Sequence, residues 1–188
     1  MSGDVNGDGV VDAVWIHFDS VGPQGCQAFV VAESTASLLS GPLETWRPDL
    51  GLPMPTASGL YEIDGEPGLE VVANMGVGAS TQFVGVVTFD NGSLTQIEVQ
   101  EGEGTLADGL FGFGGSVGHL DAIDCSETGT VVASSATPAG RQYRVRRTFL
   151  TFEGSDLVES EVEIERIPLE EIDAFPEYAA SPFGNCSP

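Results

Sequence analysis

The residues with the clearest chemistry are Asp4-Val-Asn-Gly-Asp-Gly-Val-Val-Asp12, where side-chain oxygens recur at the first, third, fifth and ninth places and Gly9 holds the sixth. Ca²⁺ is a hard cation that takes about six to eight oxygens at roughly 2.3 to 2.6 Å, and a short segment supplies them only by curling tightly around the ion. In this spacing Asp4, Asn6, Asp8 and Asp12 offer side-chain oxygens, Val10 offers its carbonyl, and water completes the shell. Gly9 is free to take the positive φ that such a curl demands. An EF-hand would need Glu at the twelfth place and a helix on each side. Here the twelfth residue is Trp15, inside an apolar, strand-like run over residues 10–18. Three carboxylates in one short loop repel one another until a divalent ion neutralises them, so binding is expected to couple to folding of this segment.

A loop of the form D-x-[DN]-x-D-G-x-x-D that opens into a strand resembles the FG-GAP and VCBS-like calcium-binding β-repeats of secreted bacterial proteins and integrin-type propellers. The match covers residues 4–12 and the switch to a strand after Asp12. The resemblance implies a β-repeat architecture with structural calcium, in an extracellular recognition or structural module. It carries metal binding further than it carries the identity of a partner, because one architecture hosts many roles.

The elements that would hold this loop recur along the chain. Val30-Val-Ala-Glu-Ser-Thr-Ala-Ser-Leu-Leu39, Val86-Val-Thr-Phe-Asp-Asn-Gly-Ser-Leu-Thr95 and Phe149-Leu-Thr-Phe-Glu-Gly-Ser-Asp-Leu-Val158 fit one frame of strand, polar turn and strand. Each follows an acidic segment and an apolar run, so the chain reads as one domain of three antiparallel units, residues 4–45, 60–100 and 117–167, with a tail over 168–188. The expected fold is all-β, propeller-like or a sandwich. Helix is expected only as one or two turns at Pro168-Leu-Glu-Glu-Ile-Asp-Ala-Phe175. The Gly-rich segment over residues 110–118 and the Pro/Gly segment over 45–59 read as connections.

The second unit carries a related loop, Glu62-Ile-Asp-Gly-Glu-Pro-Gly-Leu-Glu70, with acids at the same four places and Pro67 at the glycine position. Proline cannot take positive φ, so whether this loop holds metal stays open. The third copy, Ala122-Ile-Asp-Cys-Ser-Glu-Thr-Gly-Thr130, has too few carboxylates for an ion.

The third hairpin permits a register test. With Phe152 facing Leu157, antiparallel counting places Arg146 opposite Glu163 and Arg144 opposite Glu165, a charge ladder that explains much of the Arg cluster. Val158, Val162 and Ile164 then face a core with Val145 and Phe149, and Arg147 falls on that face with no evident partner. Of the three cysteines, Cys125 and Cys186 are the favoured pair, because Cys186 lies in an irregular tail that a bridge would tether. A bridge points to an oxidising compartment.

Enzymatic signals are weaker. Gly114-Gly-Ser-Val-Gly118 matches G-x-S-x-G with His119 and Asp121 nearby, but that motif needs a strand-to-helix turn and residues 117–123 read as a strand. A small secreted hydrolase with an acidic cleft between repeats is the alternative to a non-catalytic module. Trp15 is expected in the core, and Trp46 is the more exposed candidate for stacking on a glycan.

Composition sets the outer limits. Among 188 residues, 29 are acidic and 6 are Arg, with no Lys, for a net charge of -23. Nucleic-acid and anionic-membrane binders need clustered cations, so both classes are set aside. The acid excess also suits a high-salt environment, where hydrated carboxylates keep a surface soluble. No run approaches a membrane span, and the first residues lack the parts of a signal peptide, so an export signal would lie outside this sequence.

Overall fold

The computed structural model describes residues 1–20, 25–46, 48, 53–99, 105–106, 109–116, 118–174, 176–179 and 181–186. Alternation along the first long strand sets an inner face. In β2 (Asp12–Ser20) Asp12 and Val14 are buried and Ile16 and Phe18 join the core, while Ala13, Trp15 and His17 face outward. β3 (Cys26–Glu33) pairs antiparallel with it, placing Ala32 beside Val14, Val30 beside Ile16 and Ala28 beside Phe18 on the same inner face. β1 (Ser2–Gly3) and β4 (Leu38–Pro42) complete a four-stranded sheet in the order β1-β2-β3-β4.

The remaining strands form one eleven-stranded sheet. They are β5 (Thr56–Tyr61), β6 (Glu70–Val77), β7 (Thr81–Asp90), β8 (Ser93–Gln96), β9 (Glu98–Val99), β10 (Thr105–Leu106), β11 (Leu110–Ser116), β12 (His119–Glu127), β13 (Thr130–Ala139), β14 (Gln142–Glu153) and β15 (Asp156–Pro168). The path runs β5-β6-β7-β11-β12-β13-β14-β15-β9, with β8 on β7 and β10 on β11. All pairs are antiparallel except β15 with β9. Ile97 alone separates β8 from β9, so the far edge of the sheet is tied back toward β7 and the sheet curls over its own core. That core joins Val72, Val84 and Val86 to Ile123, Val131, Leu150 and Leu157. A second core packs Val14, Ala28 and Val30 of the small sheet against Val71, Met75 and Leu94 of the large one.

The fold is therefore all-β and sandwich-like. A 3-10 helix (Leu169–Ala174) and α1 (Pro176–Ala179) supply the short helical turns expected near the C-terminus. All three expected hairpins form, as β3–β4, β7–β8 and β14–β15. No helix among the described residues is long and apolar enough to cross a membrane. Cys125 bonds to Cys186 as expected, leaving Cys26 exposed and free. Backbone bonds reinforce the tether: Phe183 N–H donates to Ile123 O at 3.0 Å and buries its ring.

Several expectations are corrected. Residues 110–116 of the segment read as a connection over 110–118 instead form β11, wedged between β7 and β12, and Val117 lies outside the described residues. Trp15 is 37% exposed and Trp46 only 7%, the reverse of the sequence reading, since Trp15 shares the outward parity of His17 whereas Trp46 packs edge-on against Phe18. Phe152 does face Leu157, but a bulge at Ser160 shifts the pairing by one, so Arg146 meets Ile164, Arg147 meets Glu163 and Arg144 meets Arg166. The Ser160 hydroxyl donates to Phe149 O at 3.1 Å across the bulge. Ile164 is consequently 56% exposed rather than core, and Arg147 has partners in Glu165 and Glu177.

Candidate metal centre

The 4–12 loop is folded by its own carboxylates. Asp8 N–H donates to Asp4 Oδ1 at 3.1 Å and to Asn6 Oδ1 at 3.2 Å, and Gly9 N–H donates to Asp4 Oδ2 at 2.8 Å. Val10 N–H donates to Asp8 Oδ1 at 2.8 Å. Three of these four bonds run from backbone N–H groups to Asp side chains and one to Asn6, so the curl is specified by the side chains that would also bind an ion. Gly9 takes φ of 82° and Gly7 φ of 69°, both in the left-handed region. At Gly7 a side chain would also collide with Pro67, whose carbonyl oxygen would lie 2.3 Å from an added Cβ.

Asp12 closes the loop from inside the protein. It is fully buried, and its Oδ2 accepts from Val5 N–H at 3.0 Å. Its Oδ1 is buried with no hydrogen-bond partner. An ionised oxygen withdrawn from water and left unpaired is costly, and buried charges are ordinarily paired or coordinate a metal. That orphaned oxygen fits a cation. Asp4, Asn6, Asp8 and Asp12 are oxygen donors of the kind a hard cation takes. Their present arrangement is not a finished cage: among the described residues, no three His, Cys, Asp or Glu side chains are grouped so as to hold a metal. Asn6 Nδ2 donates to Asp8 Oδ2 at 3.0 Å, a bond that would have to give way before both side chains could turn oxygens to one ion.

The 62–70 loop repeats this design with a different ending. Ile63 N–H donates to Glu70 Oε2 at 2.6 Å as Val5 does to Asp12, and Glu66 N–H donates to Asp64 Oδ1 at 2.7 Å as Asp8 does to Asn6. Asp64 N–H adds a second bond to Glu70 Oε2 at 3.2 Å. Thr88 Oγ1 bridges the two acids, 2.9 Å from Asp64 Oδ2 and 3.5 Å from Glu70 Oε1. Burial, with Asp64 next, pushes the Glu70 carboxyl from its ordinary 4.5 to about 8. A protonated Glu70 is neutral near pH 7. The sequence places Glu70 at the ninth position of its loop, matching Asp12, but carries no signal of its burial.

The loops are stacked. An added Cβ at Gly68 would lie 2.6 Å from Val5 O, and Gly129 N–H, in the β12–β13 turn, donates to Ile63 O at 2.8 Å. The three segments singled out by the repeat are thus neighbours in space, with the Cys125–Cys186 bridge beside the third.

The other candidate residues do not assemble into a triad. Ser116 and His119 are cross-strand partners at the β11–β12 hairpin, and the Ser116 hydroxyl accepts from Gly118 N–H. His119 Nε2 is 3.0 Å from Thr81 Oγ1 and 3.5 Å from Asp121 Oδ2. Burial raises the Asp121 carboxyl and His119 opposes that shift. The chain matches no protein-family model, no curated protein and no solved structure.

Proposed function

We propose that this chain is a calcium-stabilised, non-catalytic extracellular β module, serving recognition or structure. The observation that supports it most directly is the buried, unpartnered Asp12 Oδ1 at the base of a loop with oxygen donors at the first, third, fifth and ninth places. Asp4, Asn6, Asp8 and Asp12 with the Val10 carbonyl hold the ion. Calcium supplies charge neutralisation there, which relieves the repulsion of the three aspartates and the desolvation of Asp12. The disulfide supports an oxidising compartment such as the cell exterior.

Sites in extracellular modules bind calcium at about 10⁻⁴ to 10⁻³ M. At about 10 mM calcium, linkage then gives roughly 1.4 to 2.7 kcal/mol. For a chain of this size that is a rise in melting temperature of about 3 to 10 °C. Asp8→Ala abolishes the rise. A thermal melt that is the same in calcium and in chelator removes the site.

A further inference from the structure

The outer edge of the small sheet carries an inference beyond the metal loop. Val14 N–H donates to Met1 O at 2.9 Å and the Met1 ammonium donates to Val14 O at 3.0 Å, so Val14 turns its backbone away from β3. β2 and β3 pair without a register shift from Ala13 to Ser20. In an antiparallel ladder every second residue points both backbone groups to the same side, so Ile16 and Phe18 also turn theirs away from β3. β1 pairs only with Asp12 and Ala13, and Met1 with Val14, so neither of these residues is covered. Among the described residues, no hydrogen bond reaches the N–H or C=O of Ile16 or Phe18.

Such an edge is a template for another strand, and folded proteins guard it with Lys, Pro, bulges or inward-pointing charges. Over residues 14–18 β2 has none of these. Its core-facing Ile16 and Phe18 are left half-buried, whereas Val14, flanked by β1, is buried. A strand added along the line of β1 would bond to both residues and cover both side chains, provided its inward residues are apolar.

The outer face sets the charge of that strand. Trp15, His17 and Asp19 project there in succession. An antiparallel strand places one residue opposite His17, with Trp15 and Asp19 as its diagonal neighbours, within reach of a long side chain. His17 Nε2 lies 3.2 Å from Asp19 Oδ1, and the Asp19 side chain is 64% exposed, so its Oδ2 is open to a donor. A cation opposite His17 would meet the Trp15 ring on one side and the Asp19 carboxylate on the other. The net charge of -23 attracts the same kind of partner and opposes a second copy of this chain.

We propose that the β2 edge binds an extended peptide segment of a partner protein by antiparallel strand addition, with a Lys or Arg between two apolar residues. This rests on the recognition reading, to which it gives a partner class, and not on calcium. The test is an NMR titration of the full chain with the capped peptide Thr-Val-Arg-Val-Thr, in calcium and in chelator. In the free protein the Ile16 and Phe18 amides should exchange with solvent faster than those of Trp15 and His17, which β3 holds. The peptide should slow exchange at Ile16 and Phe18 about tenfold. N-methylation of both valine amides, which face the edge, should abolish binding; N-methylation of the arginine amide, which faces solvent, should not. A peptide with glutamate in place of the arginine should not bind. Trp15→Ala should weaken binding about tenfold, through loss of the ring beneath the cation. Slow exchange at Ile16 and Phe18 in the free protein, no shifts at millimolar peptide, equal binding of the glutamate peptide or of both N-methylated peptides, full affinity in Trp15→Ala, or self-association through these amides each overturns the proposal. Peptide binding with no calcium effect on the melt would remove the metal reading alone.

Discussion

The 4–12 and 62–70 loops share a hydrogen-bonding plan and differ in what neutralises the buried acid at the ninth place. In both, that carboxylate holds the N–H of a buried second residue, Val5 in one and Ile63 in the other. Asp12 is short and leaves Oδ1 without a partner. Glu70 is one methylene longer, takes two backbone bonds and reaches Thr88 and Asp64, with its carboxyl raised to about 8. The lesson is that one backbone frame accommodates two remedies for a buried carboxylate, a proton in one copy and a metal ion as we propose for the other.

The largest test of this contrast is pH. Glu70 titrates at about 8 folded against 4.5 ordinarily, so the folded state binds the extra proton between those values. Stability from this group is fully present below about pH 4.5 and is lost as pH rises through about 8. The whole change is on the order of 3 to 5 kcal/mol. Glu70→Gln mimics the protonated acid, so the variant should match the parent near pH 4.5 and exceed it by a few kcal/mol at pH 9 in urea melts. Parallel curves for the two proteins would mean that Glu70 is ionised throughout and the contrast is void.

Gly7→Ala should cost about 2 to 4 kcal/mol, because left-handed φ and a collision with the Pro67 backbone act together. It strikes the contact that stacks one loop on the other. Hydrogen exchange should then show both loops loosened; loosening confined to residues 4–12 would show that the stack carries no coupling.

Much of this arrangement was legible in the sequence. Turn chemistry and period-two alternation marked the three hairpins, and a lone cysteine in an irregular tail marked the bridge. Register was not legible beyond the bulge, because Ser160 is an ordinary strand residue whose hydroxyl closes a local backbone detour. The Trp15 signal was present and outweighed: His17 and Asp19 share its parity, while the run of apolar neighbours suggested burial. The ion pairs of Arg147 with Glu165 and Glu177 join two strands to the C-terminal segment, and only tertiary structure assembles them. Likewise, the acid spacing located both loops, but the proton on Glu70 depends on burial that spacing does not encode.

Asp12→Ala separates the two remedies by chemistry. It removes a buried oxygen that is unpaired without the ion, which favours the variant, and strands the Val5 N–H, which costs more; the net loss should be about 1 to 3 kcal/mol in chelator. The calcium-dependent shift in melting temperature should vanish. In Glu70→Gln that shift should persist undiminished, and its disappearance there would assign the ion to both loops or to neither.

The smallest effect is expected at Gly9, and it isolates backbone strain from packing. An added Cβ there meets nothing within 4 Å, unlike at Gly7, so only φ of 82° opposes Ala. That conformation costs an L-residue about 1 to 2 kcal/mol. Gly9 N–H also donates to Asp4 Oδ2, so a backbone that relaxes away from positive φ gives up that bond and moves one of the proposed ligands. Gly9→Ala should therefore melt slightly lower and respond to calcium at severalfold higher concentration, with the 62–70 loop unaffected. Pro67 holds the matching place there without positive φ, and Gly68 takes it one residue later, at 135°. A loop whose curl is delayed by one residue lacks the sixth-place N–H that holds the first acid in the 4–12 loop. If Gly9→Ala left calcium affinity unchanged, ligand placement would not depend on that N–H, and the difference between the loops would reduce to the length of the ninth side chain.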